Sequence, residues 1–144
     1  MTLKVELKPG ERILIGECVL TNSGQRTRFV INGKVPIVRE KDIMTAEQAD
    51  TPAKRIYLSI LLMYTSRDAS SQHPTYFSLV RDLVQAAPST WPQIEIINNQ
   101  ILTGNLYKAL KQAKQLITYE QELIRNDASG AGLRKSGEPD IQST

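Results

Sequence analysis

The chain carries one cysteine, one histidine and one tryptophan, and each scarcity closes off a chemistry. A lone thiol, Cys18, makes no internal disulfide. Cys18 and His73 together do not complete the four-ligand shell of a structural zinc site. His73 precedes Pro74 at an expected helix start, with no acid beside it and no nucleophile at a suggestive spacing. It reads as a capping or surface residue rather than a general base. Cys18 falls in a strand, where a small buried apolar residue is the expectation. A glycine-rich phosphate loop is missing too, because Gly130-Ala131-Gly132 follows no strand and opens no helix. The sequence therefore predicts no catalytic residues, no metal and no cofactor; it is read as not an enzyme.

Long apolar runs are also absent. The longest, near residues 56–63, is far too short to span a bilayer, and no signal-peptide core follows the amino terminus. With one cysteine besides, the expected location is cytoplasmic, with no membrane partner. Aromatics make up only 6%. Tyr57, Tyr64, Tyr76, Tyr107 and Tyr119 are spread along helical segments, without the clustered aromatic platform of a strand-borne single-strand RNA binder.

What is present is an ordinary globular mixture, 40% hydrophobic and 23% charged over 144 residues, enough for one domain with a sizeable core. The net charge is +3, and its distribution is uneven. Residues 1–45 hold eight Lys/Arg against five Asp/Glu, and residues 46–126 hold eight against seven. The excess positive charge sits in the first third, which suits a polyanionic partner.

Hydrophobic period divides the chain at residues 35–64. Before that joint the period is near 2, after it near 3.6. Leu3, Val5 and Leu7 alternate with Lys4, Glu6 and Lys8, and Pro9-Gly10 supplies a turn. Short strands follow around residues 13–15, 18–20 and 27–31. Asn32-Gly33, a strong hairpin dipeptide, predicts that residues 35–38 pair back on residues 27–31. Thr51-Pro52 opens a helix that is apolar nearly all round, hence central, packed on both the sheet and the later helices. A second helix is expected at residues 74–87 with Phe77, Val80, Leu83 and Val84 inward. A third starts at Trp91-Pro92 with Ile94, Ile97, Ile101 and Leu102, and Gly104 ends it. The last runs from residue 105 to about Ile124, with Leu110, Ala113, Leu116 and Ile124 on one face and Lys108, Lys111 and Lys114 on a solvated flank. The fold class is α+β, a small N-terminal antiparallel β meander packed against about four helices. Three parts are expected: a β-rich, RNA-binding part at 1–45, a helical, partner-binding part at 46–126, and a disordered tail at 127–144.

Candidate binding residues follow from spacing. Arg26 and Arg28 share one strand face with Val30, Lys34 follows the turn, and Arg39 and Lys41 repeat the two-residue spacing. Were these strands adjacent, the arginines and lysines would form a basic surface for phosphates and unpaired bases. Arg39 is the central candidate, with Lys8, Arg12, Arg26, Arg28, Lys34 and Lys41 in support. Lys54, Arg55, Tyr57 and Tyr64 are the candidates for a partner protein, with the apolar central helix as the floor of its groove.

Three blocks carry a family resemblance: Leu7-Lys8-Pro9-Gly10-Glu11-Arg12, Arg39-Glu40-Lys41-Asp42-Ile43-Met44, and Ala49-Asp50-Thr51-Pro52-Ala53-Lys54-Arg55-Ile56-Tyr57. With Leu62-Met63-Tyr64 and Gly104-Asn105-Leu106-Tyr107-Lys108-Ala109-Leu110 in the same order, the chain resembles the FlbT family of flagellin regulators over residues 1–124. The resemblance implies post-transcriptional control of flagellin synthesis and flagellum biogenesis at the 5′ untranslated leader of flagellin mRNA. It also implies FlaF, and flagellin itself, as partners; homo-oligomers are open. The first third is further similar to the CsrA family of small RNA-binding dimers, at Lys8-Pro9-Gly10-Glu11 and from Val35 through Arg39-Glu40 to Ile43. There the strand-end arginine matching Arg39 grips RNA, while the first-strand arginine of that family falls at Leu7 here.

Overall fold

The computed structural model describes residues 2–134. Five short strands come first: β1 (Thr2–Leu7), β2 (Arg12–Ile15), β3 (Cys18–Thr21), β4 (Thr27–Asn32) and β5 (Ile37–Arg39). They are antiparallel, but they form two sheets rather than one meander. β1 pairs with β4, and β2 lies between β3 and β5.

This corrects the hairpin expected at Asn32-Gly33. β4 pairs with β1, from Thr2↔Asn32 to Leu7↔Thr27, and β5 pairs with β2. A two-residue hairpin loop of the Asn-Gly kind needs positive φ at both central residues. Asn32 instead ends the extended strand, and Gly33 takes φ 140° as the chain leaves one sheet for the other.

The alternation of side chains explains the layering. Leu3, Val5 and Leu7 of β1, with Phe29 and Ile31 of β4, face Ile13, Ile15 and Ile37 from the second sheet. Leu14 and Val38 point the opposite way and join the helical core. The three-stranded sheet is thus the middle layer, apolar on both faces, with the two-stranded sheet on one side and helices on the other. β3 reaches beyond this cover, and all four of its residues are exposed. Cys18 is exposed with them, not buried as its residue type suggested.

The helical half holds α1 (Pro52–Thr65), α2 (His73–Ala86), α3 (Trp91–Leu102) and α4 (Leu106–Arg134). Thr51 caps α1 by accepting the Lys54 N–H, and Pro52 takes the first turn, where no donor is needed. Gly104 closes α3 with φ 81°, a left-handed conformation that costs other residues. Ala53, Ile56, Tyr57, Ile60, Leu61 and Met63 are all buried, so α1 is central, as its nearly unbroken apolar surface predicts. It packs against α2, α4 and the Leu14–Val38 face of the middle sheet. α4 runs antiparallel to it, with Glu120 at the start of α1 and Tyr107 beside Tyr64 at its end. The Tyr76 hydroxyl donates to Asn98 at 2.6 Å and ties α2 to α3.

Helix faces depart from expectation at their edges. Tyr76, not Phe77, is the inward aromatic of α2, and Phe77 is exposed. Leu102 and Ile124 are exposed as well. The last helix continues to Arg134 rather than ending near Ile124, so residues 127–134 are helical instead of tail. The rest of the expected tail, 135–144, lies outside the described residues. No helix among the described residues is long and apolar enough to cross a membrane.

Candidate nucleic-acid interface

The β1–β2 turn and the segment after β5 meet at one end of the middle sheet. Antiparallel pairing sets Arg39 opposite Ile13, which brings Glu40 and Lys41 beside Arg12. A 3-10 turn at Glu40–Asp42 then directs the chain toward α1. Between the two segments lies an open groove of about 700 Å³, lined by Lys8, Pro9, Arg12, Lys41, Ile43 and Gln48 among others. Its two acids are occupied. Glu11 accepts the Lys8 N–H at 2.8 Å, and Glu40 accepts the Arg12 N–H at 2.6 Å while standing 3.6 Å from the Arg12 guanidinium. Lys8, Arg39 and Lys41 are exposed and make no ion pair among the described residues. Lys8, Arg12 and Lys41 therefore line the groove together, while Arg39, at the end of β5, is exposed but not among its lining residues.

The far wall is tied by local hydrogen bonds. Thr45 and Gln48 exchange hydrogen bonds, Gln48 Oε1 accepting the Thr45 N–H and Thr45 Oγ1 accepting the Gln48 N–H. That reciprocal cap is a Thr-x-x-Gln signature, legible in the sequence but not singled out there. Behind it the Tyr57 hydroxyl donates to the Asp42 carbonyl at 2.5 Å, and Lys114 pairs with the Asp42 carboxylate. Lys114 therefore leaves the solvated flank on which its spacing placed it.

The remaining expected cations are elsewhere. Arg26 and Arg28 do share a face, but it is the outer face of the two-stranded sheet, where Glu6 takes both. The Arg26–Glu6 contact is 2.5 Å and the Arg28–Glu6 contact 3.4 Å. The hydrogen bond from Arg26 is the largest influence holding the Glu6 carboxyl below the usual glutamate range. Lys34 follows Asn32, whose partner is Thr2, so it sits at the end of the sandwich opposite Leu7 and Lys8. The basic surface drawn from spacing alone is thus corrected: β4 and β5 are not neighbours, and the seven cations fall into three groups.

Of the partner-binding candidates, Tyr57 is 2% exposed and belongs to the core, and α4 and α2 already cover the inner face of α1 that was to floor a groove. Lys54 pairs with Asp50 at 3.2 Å, while Arg55 is exposed. Tyr64 is half-buried against Tyr107, ring centroids 6.1 Å apart, and burial raises its pKa. The Lys111 ammonium lies 5.2 Å over the Tyr107 ring. The fold brings these two tyrosines together although they are 43 positions apart in sequence, a proximity no local signal announces.

Comparison with known proteins matches the sequence along most of its length. A family model described as "Flagellar protein FlbT" matches residues 3–124. A Bradyrhizobium diazoefficiens protein, "Probable flagellum biosynthesis repressor protein FlbT 1", is 60% identical over 124 residues, covering 85% of this chain and 85% of its own. A Rhodopseudomonas palustris protein, "Probable flagellum biosynthesis repressor protein FlbT", is 52% identical, over 86% of this chain and 98% of its own. The Caulobacter vibrioides "Flagellum biosynthesis repressor protein FlbT" is 31% identical over 133 residues, covering 90% and 94%. No solved structure matches the chain. Every block of the sequence that carries the resemblance lies inside the matched residues, and the chain belongs to the FlbT family of flagellar proteins.

Proposed function

We propose that this protein regulates flagellin synthesis by binding the 5′ untranslated leader of flagellin mRNA in the groove between the β1–β2 turn and the segment after β5, altering translation or stability of the message. The observation that carries this reading is the convergence of Lys8, Arg12 and Lys41 from two chain segments on one open groove, with Arg39 exposed at the end of β5 just outside its lining. The printed names of the relatives, flagellum biosynthesis repressors, support a regulatory role. Lys8, Arg39 and Lys41 would hold phosphates, while the Gln48 and Thr45 side chains offer hydrogen bonds to base edges or sugars. Arg26, Arg28 and Lys34 are not part of this site.

A second reading has its own support. Leu62, Phe77, Leu102 and Tyr107 are all exposed, and all lie at the end of the helical half where α1 and α3 finish and α2 and α4 begin. Exposed apolar side chains at one end of the helices suit an adaptor that docks FlaF or flagellin and affects mRNA indirectly. Purified protein mixed separately with labelled leader RNA and with each partner protein distinguishes the two. Specific RNA binding by the lone protein supports the first; submicromolar partner binding with no specific RNA binding decides for the second.

A further inference from the structure

Four strand edges in this fold lack a partner among the described residues, and three of them are guarded. β1 carries Lys4 and Glu6, β4 carries Arg28 with Arg26 just before it, and β5 follows Pro36 and ends on Arg39, with Glu40 and Lys41 next. Charges and proline on an edge are the usual protections against strand-to-strand association. β3 has neither. Its sequence is Cys-Val-Leu-Thr, all four residues are exposed, and Val19 and Leu20 stand 58% and 41% accessible on opposite faces.

Register fixes which backbone groups of β3 look outward. In the β2–β3 ladder the Asn22 N–H donates to the Glu11 carbonyl, so the Glu11–Asn22 pair is hydrogen-bonded, and by alternation so are Ile13–Leu20 and Ile15–Cys18. The N–H and C=O groups of Val19 and Thr21 therefore point away from β2. The same alternation sends the Arg12 and Gly16 N–H groups toward β5, where they meet Glu40 and Pro36.

We propose that the outer edge of β3 pairs antiparallel with β3 of a second copy of this chain. The partner is a second copy because an antiparallel edge with outward groups at Val19 and Thr21 is complementary to itself about a two-fold axis. Setting Val19 opposite Thr21 of the partner uses both outward residues of each strand and forms four backbone hydrogen bonds. Leu20 then faces Leu20 of the partner in a non-hydrogen-bonded pair, with Cα atoms about 4.5 Å apart. Setting Val19 opposite itself leaves Thr21 facing the Gly16-Glu17 turn and forms only two. The lack of charge on β3 removes the repulsion that the neighbouring edges would impose. Four residues a side is well short of the roughly 20–30 of a standard interface. The dimer is accordingly weak and concentration-dependent.

Sedimentation equilibrium of the full chain tests this. The weight-average mass rises from 16.1 kDa toward twice that value between micromolar and millimolar protein. Val19→Pro deletes an outward donor and leaves the β2 ladder intact, a substitution edge strands accept. It holds the mass at the monomer value, with an unchanged circular dichroism spectrum confirming the fold. Val19→Lys, which any strand tolerates, does the same by placing like charges on the edge. In a Cys18→Ser background, Leu20→Cys forms a disulfide-linked dimer under mild oxidation. A mass fixed at the monomer value throughout, or a Val19→Lys variant that dimerises as the parent does, overturns the proposal.

Discussion

The Tyr57 hydroxyl donates to the Asp42 carbonyl at 2.5 Å, tying the central helix to the turn that presents Glu40 and Lys41. Burial raises the Tyr57 pKa far above the ordinary phenol range, so the proton stays on oxygen at any physiological pH. Lys114 holds the same residue by its carboxylate. Asp42 is thus pinned through main chain and side chain, and the position of Lys41 depends on it.

Tyr57→Phe removes that donor from a part-buried carbonyl while keeping the ring. The expected loss is about 1–2 kcal/mol, read as a fall in Tm of roughly 3–8 °C by thermal unfolding. An unchanged Tm would mean that the hydrogen bond contributes nothing to holding the joint.

Glu120 does the corresponding work at the start of α1. The residue is 6% exposed, and its carboxylate accepts the Ala53 N–H at 2.9 Å and takes the Thr51 hydroxyl on its other oxygen. A negative group at a helix N-terminus meets both unpaired donors and the positive end of the dipole. Glu120→Ala strands two donors and costs about 2–3 kcal/mol, while Glu120→Gln, which keeps an acceptor, costs less than half as much. Urea unfolding of the two variants measures the difference.

The groove and the Glu6 cluster separate cleanly by mutation. Arg39→Ala weakens leader RNA binding by about 1–3 kcal/mol with the fold intact. Lys8→Ala and Lys41→Ala weaken it uniformly across sequences and each flatten the salt dependence by roughly 0.7–1 in log–log slope. Arg28→Ala leaves leader affinity within about twofold, the range of a lost exposed ion pair. A filter-binding series in which Arg28→Ala weakens binding as much as Lys41→Ala would move the site to the outer sheet.

Glu6 also gives a pH signature. Its folded pKa is lowered by Arg26 and Arg28, so its contribution is present at neutral pH and is lost as pH falls through that lowered value. The side-chain carboxyl carbon of Glu6, followed by NMR, titrates below the ordinary glutamate range, and Arg26→Gln returns it upward. Titration at the ordinary value in the parent protein would show that the ion pairs are not populated.

The sequence was most legible where a signal is local. Thr51-Pro52, Trp91-Pro92 and Gly104 mark helix ends through one or two residues, and each marks an end in the structure. The apolar wrapping of α1 announced its central place for the same reason. Strand pairing was not legible. Asn32-Gly33 is a local turn preference, but the partner of β4 is β1, twenty to thirty positions earlier, chosen by the match of Leu3, Val5 and Leu7 with Phe29 and Ile31. Two-residue spacing correctly put Arg26 and Arg28 on one face. It carried no information about Glu6, which the same pairing delivers to them. The candidate cations drawn from neighbouring turns, Lys8, Arg12 and Lys41, line one groove because chain order and register agree there.

The central claim is that the charged end of the middle sheet grips a specific RNA leader. Its most direct test is titration of the purified protein with flagellin leader RNA and with a scrambled leader, each at two salt concentrations. The expected result is tighter binding to the true leader, weakening as salt rises, with both effects reduced when Lys8 and Lys41 are replaced. Equal affinity for true and scrambled leaders, or affinity indifferent to salt, contradicts it.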